Sequence, residues 1–195
     1  MQNTAFDLDG VICDTHNVFR LEFLKKYGWD INTPPKRSGK ITYKIHIPNV
    51  KDKDIGQIIY ETIVSKWKDT LPYNDAQEAL NLFYSYYRRP VTIVTARSDS
   101  LNGVIDATNM WLKANFPTIE FEVFYKNHKN KAIFLKESKF DTFVEDRLQN
   151  ANEVSECVRR VFLINRLWNV GRETKPKVIR VSSLKQAVIS ILEGV

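Results

Sequence analysis

The chain has 195 residues, of which 43% are hydrophobic and 12% aromatic, and it carries a formal net charge of +6 with a pI near 9.2. This hydrophobic content is enough for a buried core, and the seven glycines and seven prolines are too few for a largely disordered chain. The two cysteines, Cys13 and Cys157, stand far apart and outside any CxxC pattern, which excludes a disulfide framework and argues against a zinc site.

The distribution of charged and apolar residues gives expectations about partners and location. Lys and Arg are scattered over many segments, a pattern that suits a phosphorylated substrate and would equally suit a nucleic acid. An apolar strand pattern begins almost at Met1 and leaves no room for a signal peptide, and no apolar run approaches the roughly 20 residues that span a membrane. We therefore expect a soluble, cytoplasmic protein with no membrane partner.

Short apolar runs alternate with longer helical patterns, which predicts an α/β, Rossmann-like fold with a mainly parallel sheet. Most of the runs are continuously apolar or β-branched, as in strands that helices cover on both faces. The predicted strands are Thr4–Leu8, Val91–Thr95, Phe121–Tyr125, Thr142–Val144, Val161–Ile164 and Val178–Val181. The predicted helices between and after them are Leu101–Asn115, Lys129–Ser138, Leu148–Arg159 and Leu184–Leu192.

One stretch interrupts this alternation. Residues 15–87 contain no pattern typical of a buried strand, and they are too many for a single crossover helix. Three predicted helices and a basic connector fill the stretch: Asn17–Lys26, Ile55–Trp67, Asp75–Tyr87 and the connector Pro34–Pro48. We therefore predict a small, mostly helical cap at residues 15–87, inserted into a catalytic core of residues 1–14 and 88–195.

Two carboxylates, Asp7 and Asp9, stand at the end of the first predicted strand. Side chains at i and i+2 of an extended segment point to the same side, and open α/β sheets build their sites at the carboxyl ends of parallel strands. Because the two charges repel, they need a cation or a proton between them, and Mg²⁺ favours carboxylate oxygens. Gly10 allows a sharp turn after the strand. The alternative is a pair of turn-favouring aspartates.

Two more residues lie where they could meet a phosphate. Thr95 ends the second predicted strand, so its hydroxyl reaches the same edge of the sheet, unless it only fills space in the strand. Lys131 lies near the start of a predicted helix, where its ammonium could neutralise a nucleophile and a transferring phosphoryl group. Lys129 and Lys136 are alternatives by position, and a solvated surface lysine is another.

A second acidic pair, Glu145 and Asp146, follows the strand Thr142–Val144. Paired acids at a strand end can supply a metal ligand and the group that supports it. The alternative is that Asp146 caps the helix that follows. One carboxylate does not easily do both, so the two interpretations can be separated.

In this order, the residues resemble the four motifs of the haloacid dehalogenase (HAD) superfamily: Asp7-Leu8-Asp9-Gly10-Val11, Thr95, Lys131 and Glu145-Asp146. The resemblance covers about Thr4–Asp9 and Val91–Ile164 and does not extend into the cap. It implies a three-layer HAD core in which Asp7 is the nucleophile, Asp9 is the general acid and base, and Thr95 and Lys131 hold the phosphoryl group. It also implies that Mg²⁺ lies between Asp7, the backbone carbonyl of Asp9, and Asp146, with Glu145 close by.

Within the superfamily, the chain is most similar to the 5'(3')-deoxyribonucleotidase (cytosolic 5'-nucleotidase C-type) group. The similarity lies in the turn Glu145-Asp146-Arg147, in the cap directly after the first motif, and in the late segment Phe162–Asn169. Two residues depart from that group. Leu167 stands where the group often has proline, and Glu145 stands where aspartate is more usual.

Together, the residues and the resemblance predict a magnesium-dependent phosphatase that forms an aspartyl-phosphate intermediate. The expected partner is a small phosphorylated substrate, with a nucleoside monophosphate as the leading choice. The alternatives are a phosphatase of nucleic-acid ends, a phosphatase of another small phosphate monoester, phosphotransfer to an acceptor other than water, and a non-catalytic binding module with the same fold.

Side chains of the predicted cap are candidates for reading the substrate, and cap core or solvated surface is their alternative role. Three aromatic residues could stack on a base and two lysines could contact a phosphate: Phe19, Tyr43, Trp67, Lys40 and Lys44. The three histidines lack the spacing of metal ligands, and we predict no role for them: His16, His46 and His128.

Overall fold

A six-stranded sheet forms the centre of the computed structural model, which describes residues 3–28, 30–31 and 51–194. Every neighbouring pair of its strands is parallel. The strands are β1 (Thr4–Phe6), β2 (Val91–Thr95), β3 (Phe121–Tyr125), β4 (Thr142–Glu145), β5 (Arg160–Ile164) and β6 (Val178–Val181), and they lie in the order β3-β2-β1-β4-β5-β6. The predicted α/β fold with a mainly parallel sheet is confirmed. The connector Pro34–Pro48, with Lys40, Tyr43, Lys44 and His46, lies outside the described residues.

Helices connect and flank the strands. They are α1 (Thr15–Tyr27), α2 (Asp52–Val64), α3 (Ala76–Tyr87), α4 (Val104–Asn115), α5 (His128–Glu137), α6 (Leu148–Val154) and α7 (Leu184–Glu193), and a 3-10 turn occupies Trp67–Asp69. Helix α4 begins later than predicted because Gly103, with φ of 78°, precedes it. Helix α6 ends before Arg159 because tighter i to i+3 bonds follow it, such as that from the Cys157 N–H to the Val154 carbonyl at 2.8 Å. Within the described residues, no helix is long and apolar enough to cross a membrane.

The sheet lies between two layers of helices, because successive residues of a strand face opposite sides. On one side, Phe6 and Ile93 belong to a core cluster with residues of α3, α4 and α7. On the other side, Ala5 and Val94 belong to a second cluster with residues of α5 and α6. All four strand residues are fully buried. This is the three-layer arrangement that the resemblance implied.

Helix α3 packs against the sheet and against α7, although the predicted insertion ends only at Tyr87. Its buried face includes Ala76, Leu80 and Phe83, which share a cluster with Phe6 of β1. The rings of Phe83 and Phe6 meet edge to face with centroids 5.0 Å apart. The packing therefore places this helix with the sheet, and the boundary at 87 stays a prediction.

Helices α1 and α2 enclose a small core of their own. Phe19 and Phe23 of α1 and Ile58 of α2 form a third buried cluster, against which Tyr27 and Ile55 pack. In α1, the residues that face this core are spaced four apart, at Phe19, Phe23 and Tyr27, so they lie on one side of the helix. This pair of helices, together with its connections, lies between β1 and α3 in the chain.

The two chain segments that join this pair of helices to the sheet run side by side. The Asp14 N–H donates to the Leu71 carbonyl at 2.9 Å, and the Tyr73 N–H donates to the Ile12 carbonyl at 3.0 Å. The guanidinium of Arg166, which follows β5, lies 3.5 Å from the centre of the Tyr73 ring. The outgoing and returning segments are therefore tied to each other and to the sheet layer at one place.

We expect Phe83→Ala to lower the free energy of unfolding by about 3–5 kcal/mol, because it removes a fully buried aromatic side chain from the main core. Leu82→Ala on the same helix is the control, since Leu82 is 40% exposed and its truncation should cost about 0.5 kcal/mol or less. Urea unfolding measures both variants. Equal midpoints for the two variants would contradict the placement of α3 in the core.

Candidate active site

The carboxyl ends of β1 and β4, which are neighbours in the sheet, bring three acidic side chains together. Carboxylate oxygens of Asp7, Glu145 and Asp146 all lie within 4.8 Å of one another, and all three residues are buried. The strand order reverses between these two strands, which is where open α/β sheets form ligand sites. The acidic residues that the sequence places at the ends of β1 and β4 therefore lie together in the structure.

Lys131 is the cation that faces this acidic cluster. Its Nζ lies 2.7 Å from Asp7 Oδ2 and 3.4 Å from Glu145 Oε2, and the residue is fully buried in the first turn of α5. Burial alone would lower the pKa of this ammonium, but Asp7 and Glu145 hold it above its ordinary value. Of the other lysines considered, Lys136 is exposed, and the side chain of Lys129 lies outside what the structure describes.

Glu145 is held by donors on both of its oxygens. Its Oε1 accepts hydrogen bonds from the backbone N–H groups of Asp146 at 3.0 Å and Arg147 at 3.1 Å, and its Oε2 accepts one from Asn150 Nδ2 at 3.1 Å. Burial would raise the pKa of Glu145, but Lys131 and these donors bring it down to about 2. Glu145 is therefore a charged anchor that fixes Lys131 and the turn after β4.

Asp146 does not cap helix α6. The N-cap residue is Arg147, and it makes no side-chain capping bond. Asp146 Oδ2 instead accepts a hydrogen bond from Trp168 Nε1 at 2.8 Å, whereas the buried Asp146 Oδ1 has no hydrogen-bond partner among the residues that the structure describes. The capping interpretation is therefore wrong, and one carboxylate oxygen is left to face the cluster.

The donor set and the charge of the cluster fit a hard divalent cation. Burial, helped by Glu145, raises the pKa of Asp7 to about 8 despite Lys131. Burial and the charges of Glu145 and Asp7 raise the pKa of Asp146 well above its ordinary value. Such shifts mean that one ammonium does not balance three buried carboxylates. A Mg²⁺ held by Asp7 and by the unpartnered Asp146 Oδ1 would supply the missing positive charge.

Asp9 lies apart from the acidic cluster and pairs with Arg97. Arg97 Nε is 2.9 Å from Asp9 Oδ2, Arg97 NH2 is 2.7 Å from Asp9 Oδ1, and the Thr15 hydroxyl also donates to Oδ1. Burial would raise the pKa of Asp9, but the guanidinium holds it below its usual value. The side chain of Asp9 is therefore not one of the three clustered carboxylates. The metal contact that the resemblance implies runs through its backbone carbonyl, and that contact stays a prediction.

Thr95 and Arg97 stand together at the end of β2. The Thr95 hydroxyl is fully buried and accepts a hydrogen bond from the Arg97 backbone N–H at 3.2 Å. Its proposed contact with a phosphoryl group stays a prediction. Arg97 received no role from the sequence, because its partner Asp9 lies 88 residues away along the chain. The only indication of this role in the sequence was the position of the arginine, two residues after the candidate Thr95.

A cavity of about 430 Å³ opens above these groups, between the edge of the sheet and the helices α1 and α2. Asp7, Asp9 and Asp146 lie at its polar end, and its wall includes Phe19 of α1 and Ile59 of α2. Of the aromatic residues predicted to read the substrate, Phe19 therefore lines the cavity. Trp67 instead packs against the main core, so its predicted stacking role finds no support.

Polar residues that the sequence did not single out also line this cavity. Arg147 NH1 lies 2.6 Å from His128 Nε2. Burial, together with Arg147 and Lys131, lowers the pKa of His128 to about 4, so its neutral ring accepts the hydrogen bond from the guanidinium. Trp168, which donates to Asp146, packs against His16 with ring centroids 4.5 Å apart and ring planes tilted by 46°. These contacts join residues far apart in the sequence, which is why spacing alone did not reveal them.

Comparison with known proteins identifies the fold. No family model matches the sequence, and no curated protein matches it. Among solved structures, a haloacid dehalogenase-like family hydrolase from Xanthomonas campestris is similar, with TM-score 0.59 and 14% identity over 99% of this chain and 95% of that chain. CbbY from Rhodobacter sphaeroides in complex with phosphate has TM-score 0.61 and 14% identity over 95% and 96%. D,D-heptose 1,7-bisphosphate phosphatase from Burkholderia thailandensis has TM-score 0.56 and 10% identity over 98% and 99%. The chain therefore has the haloacid dehalogenase-like fold.

We expect Gly10→Ala to lower the free energy of unfolding by more than about 1 kcal/mol, because alanine is strained at this conformation. Gly10 has φ of +82°, and an added Cβ would lie 2.2 Å from Asp146 Oδ2. Gly56→Ala on α2 is the control, since no atom lies within 4 Å of its added Cβ and the residue is helical. That variant should gain up to about 1 kcal/mol. Chemical unfolding distinguishes the two, and the same change in both would contradict the close approach at Gly10.

Proposed function

We propose that the protein is a magnesium-dependent phosphomonoester hydrolase in which Asp7 is the nucleophile. The observation that carries the proposal is the position of Asp7 at the polar end of the cavity. There its carboxylate is 2.7 Å from the Lys131 ammonium and clusters with the unpartnered oxygen of Asp146. A buried carboxylate of this kind, with an adjacent cation and access to a cavity, can attack phosphorus and form a covalent intermediate.

Each remaining residue has a role in that reaction. An oxygen of Asp7 attacks phosphorus in line with the leaving oxygen, which gives an aspartyl phosphate. Lys131 orients Asp7 and offsets the negative charge of the phosphoryl oxygens. Asp9 gives a proton to the leaving oxygen and then takes one from the water that hydrolyses the intermediate. Thr95 is proposed to contact the phosphoryl group at the end of β2.

Asp7 and Asp146 are the proposed side-chain ligands of Mg²⁺, and the backbone carbonyl of Asp9 is the proposed third protein ligand. Glu145 is not proposed as a direct ligand, because its oxygens already contact Lys131, Asn150 and backbone N–H groups. When bound, the ion supplies positive charge that offsets the charge of the transferring phosphoryl group. Trp168 and Asn169 hold Asp146 from the other side, through its Oδ2 at 2.8 Å and its carbonyl at 2.5 Å.

The fold comparison supports phosphoryl chemistry. One of the similar structures contains phosphate, and another is a bisphosphate phosphatase. The substrate that we propose for this chain is a nucleoside monophosphate, in line with the likeness to the 5'(3')-deoxyribonucleotidase group. The apolar wall that includes Phe19 and Ile59 would receive the base. Hydrolysis at the ends of nucleic acids is not favoured by any contact in the described residues.

Helices α1 and α2 are the proposed cap. They contribute residues such as Phe19 and Ile59 to the wall of the cavity, and their own core is separate from the two clusters on the sheet. The paired segments at Asp14 and Leu71 are the natural limits of this cap, and α3 would then belong to the catalytic core. Closure of the cap over a bound ester would exclude water from the transfer step. A cytoplasmic location remains an expectation from the sequence.

We expect Asp7→Asn to abolish hydrolysis of phosphate monoesters, because the amide has the same shape but cannot attack phosphorus. The measurement is phosphate release with Mg²⁺ from a panel of ribo- and deoxyribonucleoside monophosphates. Asp106→Asn is the matched control, since Asp106 is exposed on α4 and should keep wild-type turnover. Turnover by Asp7→Asn at the wild-type rate would end the proposed mechanism.

We expect Asp146→Asn to weaken Mg²⁺ binding by at least about tenfold, because it neutralises a proposed direct ligand. In the wild type, Mg²⁺ should raise the melting temperature, since a ligand that binds the folded state stabilises it. In Asp146→Asn this rise should be lost, and excess chelator should remove both the rise and the activity of the wild type. Calorimetric titration and thermal melts measure the two effects. An unchanged Mg²⁺ response in the variant would contradict the assignment of Asp146.

A further inference from the structure

We propose that Arg97 is a positioning residue that clamps Asp9 for proton transfer, an inference that rests on the proposed phosphatase function. The guanidinium meets the carboxylate as a fork, with Nε 2.9 Å from Oδ2 and NH2 2.7 Å from Oδ1. Arginine suits this geometry because its planar donors match both oxygens of a carboxylate. Two parallel bonds fix the plane of the carboxylate as well as its position.

The clamp is anchored independently of Asp9. Arg97 NH1 donates to the Thr108 hydroxyl of α4 at 3.0 Å, and that hydroxyl donates to the Val104 carbonyl at 2.7 Å. The Arg97 backbone N–H bonds to Thr95 at 3.2 Å, at the end of β2. The arginine side chain is 4% exposed, whereas that of Asp9 is 33% exposed. Arg97 is therefore a fixed support behind a carboxylate that faces the cavity.

The occupied acceptor positions single out one oxygen of Asp9. A carboxylate offers about four lone-pair positions, two on each oxygen. Among the described residues, Oδ1 accepts from Arg97 and from Thr15, while Oδ2 accepts from Arg97 alone. Oδ2 therefore keeps one position for a proton that it can exchange with the cavity.

The proton transfers balance with the bonds made and broken. The Asp9 carboxylate first takes a proton at Oδ2 from the monoanion of the phosphate ester, and that proton passes to the leaving oxygen as the bond from Asp7 to phosphorus forms and the ester bond breaks. When water attacks the aspartyl phosphate, Asp9 Oδ2 takes a proton from that water and the Asp7 carboxylate is released. Arg97 keeps its own protons throughout and holds the carboxylate in place for both steps.

The clamp also places a positive charge beside Asp9. Without it, the Asp9 carboxylate would repel an incoming phosphate dianion. Lysine at position 97 would keep the charge but could not make the two parallel bonds. Arg97→Lys therefore separates the orientation of Asp9 from the charge of the site.

The test compares two esters that differ in their need for an acid. An alkyl phosphate has a leaving oxygen that must be protonated, whereas p-nitrophenyl phosphate leaves as a stable phenolate. We expect Arg97→Lys to lower kcat/KM for the alkyl phosphate by about 10²-fold, the range that a general acid contributes. For p-nitrophenyl phosphate, kcat/KM should change little, because it covers only the steps up to departure of the phenolate.

A second variant and a matched control distinguish a specific loss of activity from a loss caused by misfolding of Arg97→Lys. Thr108→Val removes the anchor of the guanidinium and leaves Arg97 in place, so it should show the same preference for the aryl ester to a smaller extent. Arg20→Lys is the control, because Arg20 pairs with Asp30 at 2.8 Å on the surface of the chain and should keep wild-type rates on both esters.

Equal losses on the two esters in Arg97→Lys and in Thr108→Val would overturn the role of Arg97 and leave the phosphatase proposal standing. A wild-type protein that hydrolyses neither ester with Mg²⁺ would overturn both proposals. The two failures therefore give different results in the same experiment.

Discussion

The buried carboxylates at the ends of β1 and β4, with one ammonium among them, are the constraint on which the rest of the site depends. Asp7, Glu145 and Asp146 carry more negative charge than Lys131 can neutralise, and burial makes the imbalance costly. The surrounding structure therefore bonds both oxygens of Glu145, while one oxygen of Asp146 receives no hydrogen bond from the described part of the chain. The shortage of positive charge is the property that would draw a metal ion to this place, and a bound metal ion would then offset the charge of a phosphate ester.

Asp7 and Asp9 lie in different electrostatic environments. Around Asp7, the neighbours are acids and a lysine, and burial holds its pKa high. Around Asp9, the neighbours are Arg97 and Thr15, and the guanidinium holds its pKa low. Two aspartates only two residues apart are thus separated by their partners, which come from α5 for one and from the end of β2 for the other. A cation bound beside Asp7 would lower its pKa again and return it to the charged form that a nucleophile needs.

The local parts of this structure followed from the sequence, and the long-range parts did not. The bounds of β2, β3 and β6 agree with the predicted strands, because all three are rich in the β-branched and aromatic residues that favour strands. The place of α3 could not be read, since a helical stripe shows that a face is covered but not by what. The candidates Asp7, Lys131 and Asp146 were found by their positions at strand ends and helix starts. Their meeting at one edge of the sheet was expected, whereas the pairing of Arg97 with Asp9 was missed, because an ion pair across 88 residues leaves no periodic trace.

The side-by-side segments at Asp14 and Leu71 make the architecture modular. Both crossings between the helical pair and the sheet occur at one place, so a single short junction sets where the pair leaves and rejoins the strand ends. The width of the cavity and the chemistry at its floor are then set by separate pieces of chain. A different helical hairpin grafted between these two positions would meet the same carboxylates, which makes the junction a natural point for redesigning which esters fit.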